Sequence, residues 1–436
     1  MREMKDSGIE WIGQIPKDWD VVPHKRIMHK VKKICEQYSG EDIISLTMNG
    51  VIKRDLTAGG KMPTSFDGYQ YVKPNDLLLC LFDIDVTPRC VGVVKDYGVT
   101  SPAYSRFVMH DGYYNVYYDY LLRAIDDDKV FVHLSKNLRS SLTESDFGAI
   151  KTCVPPLAEQ ERIAAFLDAE CAEIDAVLEK TRASIEEYKK LKQAVITQAV
   201  TKGIRGDRPM KDSGIEWIGE IPAEWSVVRQ KYFWNTIESG VSVNAADKPV
   251  DNSEQYGVLK TSAVSKFMFI PTEHKQVNLE EYGRVSCPVR ADSIIASRMN
   301  APELVGACGY VQNNYPNLFL PDRLWQITFK DGLSPKYAWY YLSGIRVRQY
   351  ISSLSTGTSS SMQNISQSQY GNIFITIPSI GEQSEIAKYL DEKCNSVDAL
   401  IAKKQQYLTE IENYKKSLIY EYVTGKKEVK TSVLVD

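Results

Sequence analysis

The densest group of side chains able to contact nucleic acid lies late in the sequence. A run of hydroxyl and amide residues covers positions 356–364, and Arg346 and Arg348 precede it. Small hydroxyls beside a glycine permit close approach to phosphates, and Gln or Asn amides can pair with the edge of adenine. Within the run the candidate contacts are Thr358, Ser360 and Gln363. A flexible linker of the same composition is the alternative interpretation.

Other basic and polar residues could contact DNA elsewhere in the chain. In the first half, the segment that corresponds in position to this run contains Lys136, Asn137 and Arg139. Candidates at predicted strand or turn boundaries, where a rigid sheet can present a side chain, are Arg89, Tyr104, Arg106, Arg298, Asn300 and Arg323. Residues 24–33 carry five Lys or Arg and no acid, and Lys25 and Arg26 are the candidates there. Each could instead be a surface ion-pair partner or part of a solvated face.

The sequence has none of the usual catalytic motifs. A phosphate-binding P-loop, a dinucleotide-binding glycine motif, a zinc-protease helix and a nucleophile elbow are all missing. The string nearest to an adenine methyltransferase loop is Val154-Pro155-Pro156-Leu157, which lacks the polar first residue and the aromatic last one. The five His and eight Cys show no metal-ligand spacing, so we expect free thiols, no metal site and no catalysis.

Composition limits the class of protein. The 436 residues carry a net charge of −3 and are 43% hydrophobic, which is ordinary globular usage and excludes a disordered chain. That charge argues against coating nucleic acid by bulk electrostatics. No apolar run is long enough for a membrane helix and the first residues have no apolar signal core, so we expect a cytoplasmic protein without membrane contact.

The chain is a tandem duplication. Residues 4–16 and 210–222 match at twelve of thirteen positions, and a second match pairs residues 147–201 with 370–424. The offset between matched positions grows from 206 to 223 residues, so the second copy has a net insertion of 17 residues. The middle of each copy has diverged strongly. We infer that the repeated frame does one job twice, while the middles act on different targets.

The closing segment of each copy predicts a long helix. Pro155-Pro156 and Pro378 mark the helix starts, and Gly203 and Gly425 mark the ends. Between them, residues recur in alternating steps of four and three, which is typical of a coiled-coil seam. The alternative is an ordinary amphipathic helix packed on its own domain.

The middles predict short strands mixed with helices, because runs of Val, Ile, Tyr and Phe alternate with turn residues. The predicted fold class is therefore α+β: two tandem mixed α/β domains, each followed by a long helix. The predicted boundaries are 1–154 for the first domain, 155–206 for its spacer helix, 207–377 for the second domain, 378–426 for the second helix, and 427–436 for a C-terminal tail.

The repeated motifs resemble those of a known family. The opening Gly8-Ile9-Glu10-Trp11-Ile12-Gly13-x-Ile15-Pro16-x-x-Trp19 is similar to that of the specificity subunits of prokaryotic type I restriction–modification systems. The helix starts at 155–168 and 381–391 resemble conserved helices of the same family. The resemblance covers essentially the whole chain, in two copies.

The resemblance implies a function that the spacing alone does not give. Family members read a split double-stranded DNA site with two target recognition domains, and their two long helices pair antiparallel and set the distance between the half-sites. Two modification subunits, which carry S-adenosylmethionine and methylate adenine N6, bind the helices and frame. Restriction subunits, which translocate and cleave DNA, join them. The chain itself is then a non-catalytic DNA-binding subunit that holds no cofactor.

Two other functions are compatible with parts of the sequence. A single-chain restriction or methylation enzyme would need a catalytic domain, for which the duplication leaves no room. A coiled-coil scaffolding protein would leave the divergent middles and their Arg, Asn, Ser and Thr loops unexplained. Salt-dependent DNA binding with sequence preference separates the DNA-binding interpretation from the scaffold.

Overall fold

The computed structural model describes residues 2–48, 50–57, 63–87, 89–135, 140–359 and 362–430. Its contacts divide the chain into two compact units. The first unit combines residues 1–182 with residues 406–436, and the second consists of residues 183–405. Both long helices therefore contribute one half to each unit.

The first unit contains short antiparallel strands and three short helices, followed by the start of a long one. Its strands are β1 (Met4–Asp6), β2 (Gln14–Pro16), β3 (Asp20–Pro23), β4 (Met28–Lys30), β5 (Ile44–Thr47), β6 (Gly50–Lys53), β7 (Gln70–Val72), β8 (Leu77–Leu79), β9 (Val91–Val93), β10 (Gly98–Thr100), β11 (Ser105–Met109) and β12 (Lys151–Val154). Its helices are α1 (Asn115–Asp127), α2 (Val130–Leu134), α3 (Glu144–Ala149) and the first part of α4 (Leu157–Lys202). The largest sheet has the order β4-β11-β8-β9.

The second unit repeats this plan and adds to it. Its strands are β13 (Met210–Asp212), β14 (Glu220–Pro222), β15 (Ser226–Arg229), β16 (Trp234–Ser239), β17 (Ala245–Ala246), β18 (Gly257–Leu259), β19 (His274–Val277), β20 (Pro288–Val289), β21 (Ser293–Ser297), β22 (Met299–Asn300), β23 (Cys308–Val311), β24 (Tyr315–Phe319), β25 (Leu324–Phe329), β26 (Thr356–Ser359), β27 (Met362–Asn364) and β28 (Phe374–Ile377). Its helices are α5 (Pro335–Ser343), α6 (Ile345–Leu354), α7 (Gln367–Gly371) and the first part of α8 (Ile380–Val423).

The sheets show which parts of the plan are shared. The order β16-β25-β21-β23 repeats that of the largest sheet in the first unit. The pairs β1–β2 and β13–β14 are equivalent hairpins, and β3–β12 and β15–β28 are equivalent pairs that join the opening to the closing segment. A five-stranded sheet, β17-β19-β18-β24-β20, and a three-stranded sheet, β22-β27-β26, occupy the diverged middle of the second unit.

The predicted fold class is confirmed. Both units are mixed α/β, and α4 and α8 are long helices that begin just after the prolines. In the first unit Lys415 pairs with Asp175, and in the second Lys192 pairs with Asp398, so the helices run antiparallel in both. The predicted domain boundaries stay a prediction.

Each unit has its own core around its main sheet. The first core includes Trp19, Tyr117 and Phe147, together with Leu418 and Val423 from the end of α8. The second core includes, among its buried residues, Trp225, Tyr337, Tyr370, Ile196 and Val200, the last two from the end of α4. The closing helix of each copy therefore ends in the core of the other unit.

Candidate nucleic-acid interface

The shared frame of both units rests on a buried carboxylate. In the first unit the Trp19 indole donates to Glu159 at 3.0 Å, and Arg2 donates to the same carboxylate at 2.9 Å. In the second unit Trp225 donates to Glu382 at 2.9 Å, and Arg208 donates to it at 2.6 Å. Charge-assisted hydrogen bonds of this kind fix geometry strongly when they are buried. The opening hairpin is therefore locked to the start of each long helix.

The neighbouring glutamines connect the long helices to the diverged middles. Gln160 accepts a hydrogen bond from the Tyr114 amide at 2.8 Å, just before α1. Gln383 accepts one from the Ser334 amide at 2.8 Å, just before α5. The start of each long helix thus positions the helix that packs on the main sheet. A rigid frame of this kind can present variable loops in a fixed orientation.

In the first unit, two of the predicted residues share a cavity. Arg89 and Tyr104 line a pocket of about 300 Å³ together with Thr47 and Thr87. Arg89 donates to the carbonyls of Val91 at 2.9 Å and Met48 at 3.1 Å. Burial lowers the pKa of its guanidinium from the usual value. These two side chains form the candidate base-contacting pocket of this unit.

The remaining candidates in the first unit lie apart from this pocket. Lys25 and Arg26 are exposed on a short 3-10 turn, His24–Arg26, where they could contact phosphates. Arg106 is 7% exposed and pairs with Asp76, with 2.6 Å between Nε and Oδ2. Breaking a buried pair is strongly destabilising, so Arg106 helps to hold the domain together, and its DNA contact stays a prediction. The candidates Lys136, Asn137 and Arg139 lie outside the described residues.

In the second unit the structure brings four predicted residues together. The Arg298 amide donates to the Arg323 carbonyl at 3.0 Å, and Asn300 on β22 pairs in register with Gln363 on β27. Arg323 is exposed, and the other three are half-buried. Two arginines beside two amide side chains match the chemistry that reads guanine and adenine edges.

Helix α6 contacts the segment that follows β22. Arg348 donates to the Glu303 carbonyl at 2.8 Å, and its guanidinium lies 3.5 Å from the centre of the Phe267 ring. Arg346 on the same helix is exposed. Thr358 lies on β26, and Ser360 lies outside the described residues. The DNA contacts of all these residues stay predictions.

The described residues show no arrangement suited to a metal ion. Among them, no group of three or more His, Cys, Asp or Glu side chains could hold one. Seven of the eight cysteines are buried, and burial raises the pKa of Cys153 and Cys308 to about 12. Thiols with so high a pKa are poor nucleophiles.

Known proteins share both the sequence and the fold. A family profile described as "Type I restriction modification DNA specificity domain" matches residues 222–413. The putative type I restriction enzyme MjaX specificity subunit of Methanocaldococcus jannaschii is 26% identical, with 96% of each chain aligned. The EcoKI specificity subunit of Escherichia coli is 21% identical over 66% of this chain and 60% of its own. This chain is similar to type I restriction specificity subunits over nearly its whole length.

A solved structure shares the fold of this chain. A chain described under "Structural basis underlying complex assembly and conformational transition of the type I R-M system" superposes with a TM-score of 0.68. It is 17% identical, and the match covers 95% of this chain and 99% of the other. Of the helices in the described part of this chain, none combines the length and apolarity needed to cross a membrane.

Sequence reasoning missed part of the frame that the two units share. Arg2 and Arg208 stand at the same offset of 206 residues as the matched openings, so extending the repeat upstream would have identified them. Phe267, which packs on Arg348, had no such signal, because 81 positions separate the two along the chain.

Proposed function

We propose that this chain reads a bipartite double-stranded DNA site, with one half contacted by the middle of each unit. One observation carries the proposal: the two units keep the same frame contacts and main-sheet order, while the sheets around that main sheet differ between their middles. The Trp–Glu–Arg and Gln contacts recur in both copies, whereas the three-stranded sheet that holds Asn300 and Gln363 is found in the second. A shared frame with different middles suits two different half-sites.

The DNA-binding surface is local, in keeping with the net charge of −3. The Arg298 cluster would read bases in one half-site, and the Arg89 pocket would do so in the other. Exposed Lys25 and Arg26 would contact phosphates, which fix register and orientation without carrying sequence information. Partner subunits would supply the rest of the positive charge that grips DNA.

The same repeat suggests two copies of a partner. Leu157 and Ile380 are equivalent first residues of the long helices, and both are exposed, at 43% and 55%. Glu10 and Glu216 are equivalent exposed acids in the opening hairpins. Exposed residues retained in both copies without a packing role suit a shared partner. Two modification subunits, which bring S-adenosylmethionine and methylate adenine N6, would bind there, and restriction subunits would complete the nuclease.

In this scheme the chain performs no catalysis and holds no cofactor. The side chains of its described part offer hydrogen bonds and charge at the surface, and no activated nucleophile was found among them. Methyl transfer and cleavage would belong to the partners, and the complex would work in the prokaryotic cytoplasm.

The test is to map N6-methyladenine in genomic DNA from cells that express the chain with its modification subunit. We expect one bipartite motif with a fixed spacer, which disappears when the chain is deleted. Exchanging residues 24–150 for those of another specificity subunit should change one half of the motif. The matched exchange of residues 230–373 should change the other half. A motif that stays intact after both exchanges would contradict the proposal, as would an active modification subunit that methylates no motif.

A further inference from the structure

The two units differ at one equivalent position on their long helices. In the first unit Tyr420, near the end of α8, donates its hydroxyl to the carbonyl of Trp11 at 2.8 Å. The equivalent residue near the end of α4 is Thr197, which stands 223 positions earlier, and the equivalent tryptophan is Trp217. In the first unit a tyrosine of this chain therefore pairs with the backbone carbonyl of the repeated tryptophan. The second unit offers only a short hydroxyl side chain at that position.

An open groove lies at this place in the second unit. It has a volume of about 850 Å³ and runs along one face of α4, from Glu186 to Lys202, against Ile345 and Arg346 at the start of α6. A smaller cavity adjoins it through Thr197 and is lined by Trp217 and Tyr341. The groove is large enough to hold several side chains of another molecule.

The groove contains buried polar atoms with no hydrogen-bond partner in the described structure. They are Oε1 of Gln193 and Oγ1 of Thr197, and the hydroxyl of the completely buried Tyr341 is a third such atom in the smaller adjoining cavity. Such groups cost free energy unless a ligand or water pairs with them. In the first unit the residue equivalent to Gln193 is Lys416, which lies 3.9 Å from Asp127. The counterpart surface is thus bridged by its own side chains.

The rim of the groove is positively charged. Arg346 and Lys202 are exposed, and no carboxylate of the described residues pairs with either side chain. Lys189 is already neutralised by Glu186, with 2.7 Å between the charged atoms. An occupant with carboxylates next to its apolar part would therefore complement the rim.

We propose that this groove is a docking site for a protein partner that inserts one aromatic side chain, flanked by acidic residues, and that it binds once per chain. The aromatic ring would take the place that Tyr420 takes in the first unit, with its hydroxyl directed at the Trp217 carbonyl. The neighbouring carboxylates would pair with Arg346 and Lys202. This contact breaks the twofold equivalence of the repeats, and it does not depend on DNA recognition.

The test uses the full chain and a defined probe, the peptide acetyl-Glu-Tyr-Glu-amide, titrated by calorimetry. We expect one peptide per chain, with binding about tenfold weaker for acetyl-Glu-Ala-Glu-amide because the ring supplies the burial. Thr197→Tyr should fill the groove from within and weaken peptide binding by about tenfold or more. It should also raise the Tm, which shows that the loss is not caused by misfolding.

A further variant makes the result decisive. Arg346→Glu should weaken binding of the acidic peptide, but it should not weaken binding of the same peptide with Gln in place of Glu. The inference is overturned if no peptide binds at millimolar concentration, or if folded Thr197→Tyr binds as tightly as the original chain. The inference is also overturned if a DNA duplex competes with the peptide and binds Thr197→Tyr as tightly as it binds the original chain. That result would show that the rim binds phosphates.

Discussion

At the scale of single residues, the two copies have different residue types at one equivalent buried position. His24 is completely buried, with its ring 4.6 Å from that of Phe147. Burial lowers the pKa of His24 from 6.5 to about 4, because the charged imidazolium is poorly solvated there. The equivalent Gln230 has no titratable group, and its amide donates to the Tyr370 carbonyl. The first unit therefore carries an acid sensitivity that the second lacks at this position.

The sign of the effect follows from the lowered pKa. Below about pH 6.5 the unfolded chain takes up a proton on His24, whereas the folded chain does not. The contribution of neutral His24 to the free energy of unfolding is therefore complete above that pH and is lost as the pH falls toward 4. We expect His24→Gln to reduce the loss of unfolding free energy between pH 7 and pH 4 by up to about 3 kcal/mol. Urea unfolding of the first unit, followed at several pH values, measures this. The mirror variant Gln230→His should install the same acid sensitivity in the second unit. Parallel pH profiles for His24→Gln and the original chain would contradict the prediction.

A second residue-scale prediction separates base contacts from phosphate contacts. Arg298→Ala should cost about 1–3 kcal/mol of binding free energy and relax specificity at one position of one half-site. Lys25→Ala should weaken binding to all sequences alike. It should also reduce the slope of the logarithm of the binding constant against the logarithm of salt concentration by about one. Fluorescence anisotropy of the assembled complex, with single-base variants of the site at several salt concentrations, distinguishes the two patterns. Equal loss across all variant sites for Arg298→Ala would remove it from the base-reading cluster.

At the scale of elements, the repeat produces two matching ion pairs between the long helices. Lys415 lies 2.6 Å from Asp175 in the first unit, and Lys192 lies 2.6 Å from Asp398 in the second. Lys415→Asp should place two carboxylates together and lower stability, but by only about 1 kcal/mol because the pair is exposed. The double variant Lys415→Asp with Asp175→Lys should recover the loss. A double-mutant cycle of Tm values measures the coupling, and strictly additive single changes would show that the pair does not help to set the helix register.

The elements also show what the sequence could predict. The long helices were predictable because their heptads, prolines and glycines are local signals. Gly344 separates α5 from α6. The strands are mostly three to five residues long and pair across distant parts of the chain, so their register has no local signature. For the same reason the sequence did not reveal that Arg106 pairs with Asp76 inside the domain.

At the scale of the whole molecule, each unit is completed by a helix that belongs to the other copy. Tyr117 in the first unit donates to the Val423 carbonyl at 2.7 Å, and Tyr337 in the second donates to the Val200 carbonyl at 3.3 Å. The first unit therefore needs the last part of the chain, although about 300 residues separate Tyr117 from Val423. Contacts this distant in sequence are costly to form and leave no trace in local patterns. We call this arrangement cyclic, because the end of the second copy completes the core of the first unit and the end of the first copy's helix completes the core of the second.

This closure makes a truncation informative. Removing residues after Gln405 takes Leu418, Ile419 and Val423 away from the first core, where each is at most 5% exposed. Losing several buried aliphatic side chains costs about 2–5 kcal/mol each, so the first unit should unfold while the second, which ends at Gln405, stays folded. Hydrogen exchange should show lost protection in β8 and α1 and retained protection in β21 and α5. Truncation after Lys430 is the matched control and should leave both units protected. If the shorter chain instead loses protection in the second unit, α8 belongs to its own copy alone and the cyclic arrangement is wrong.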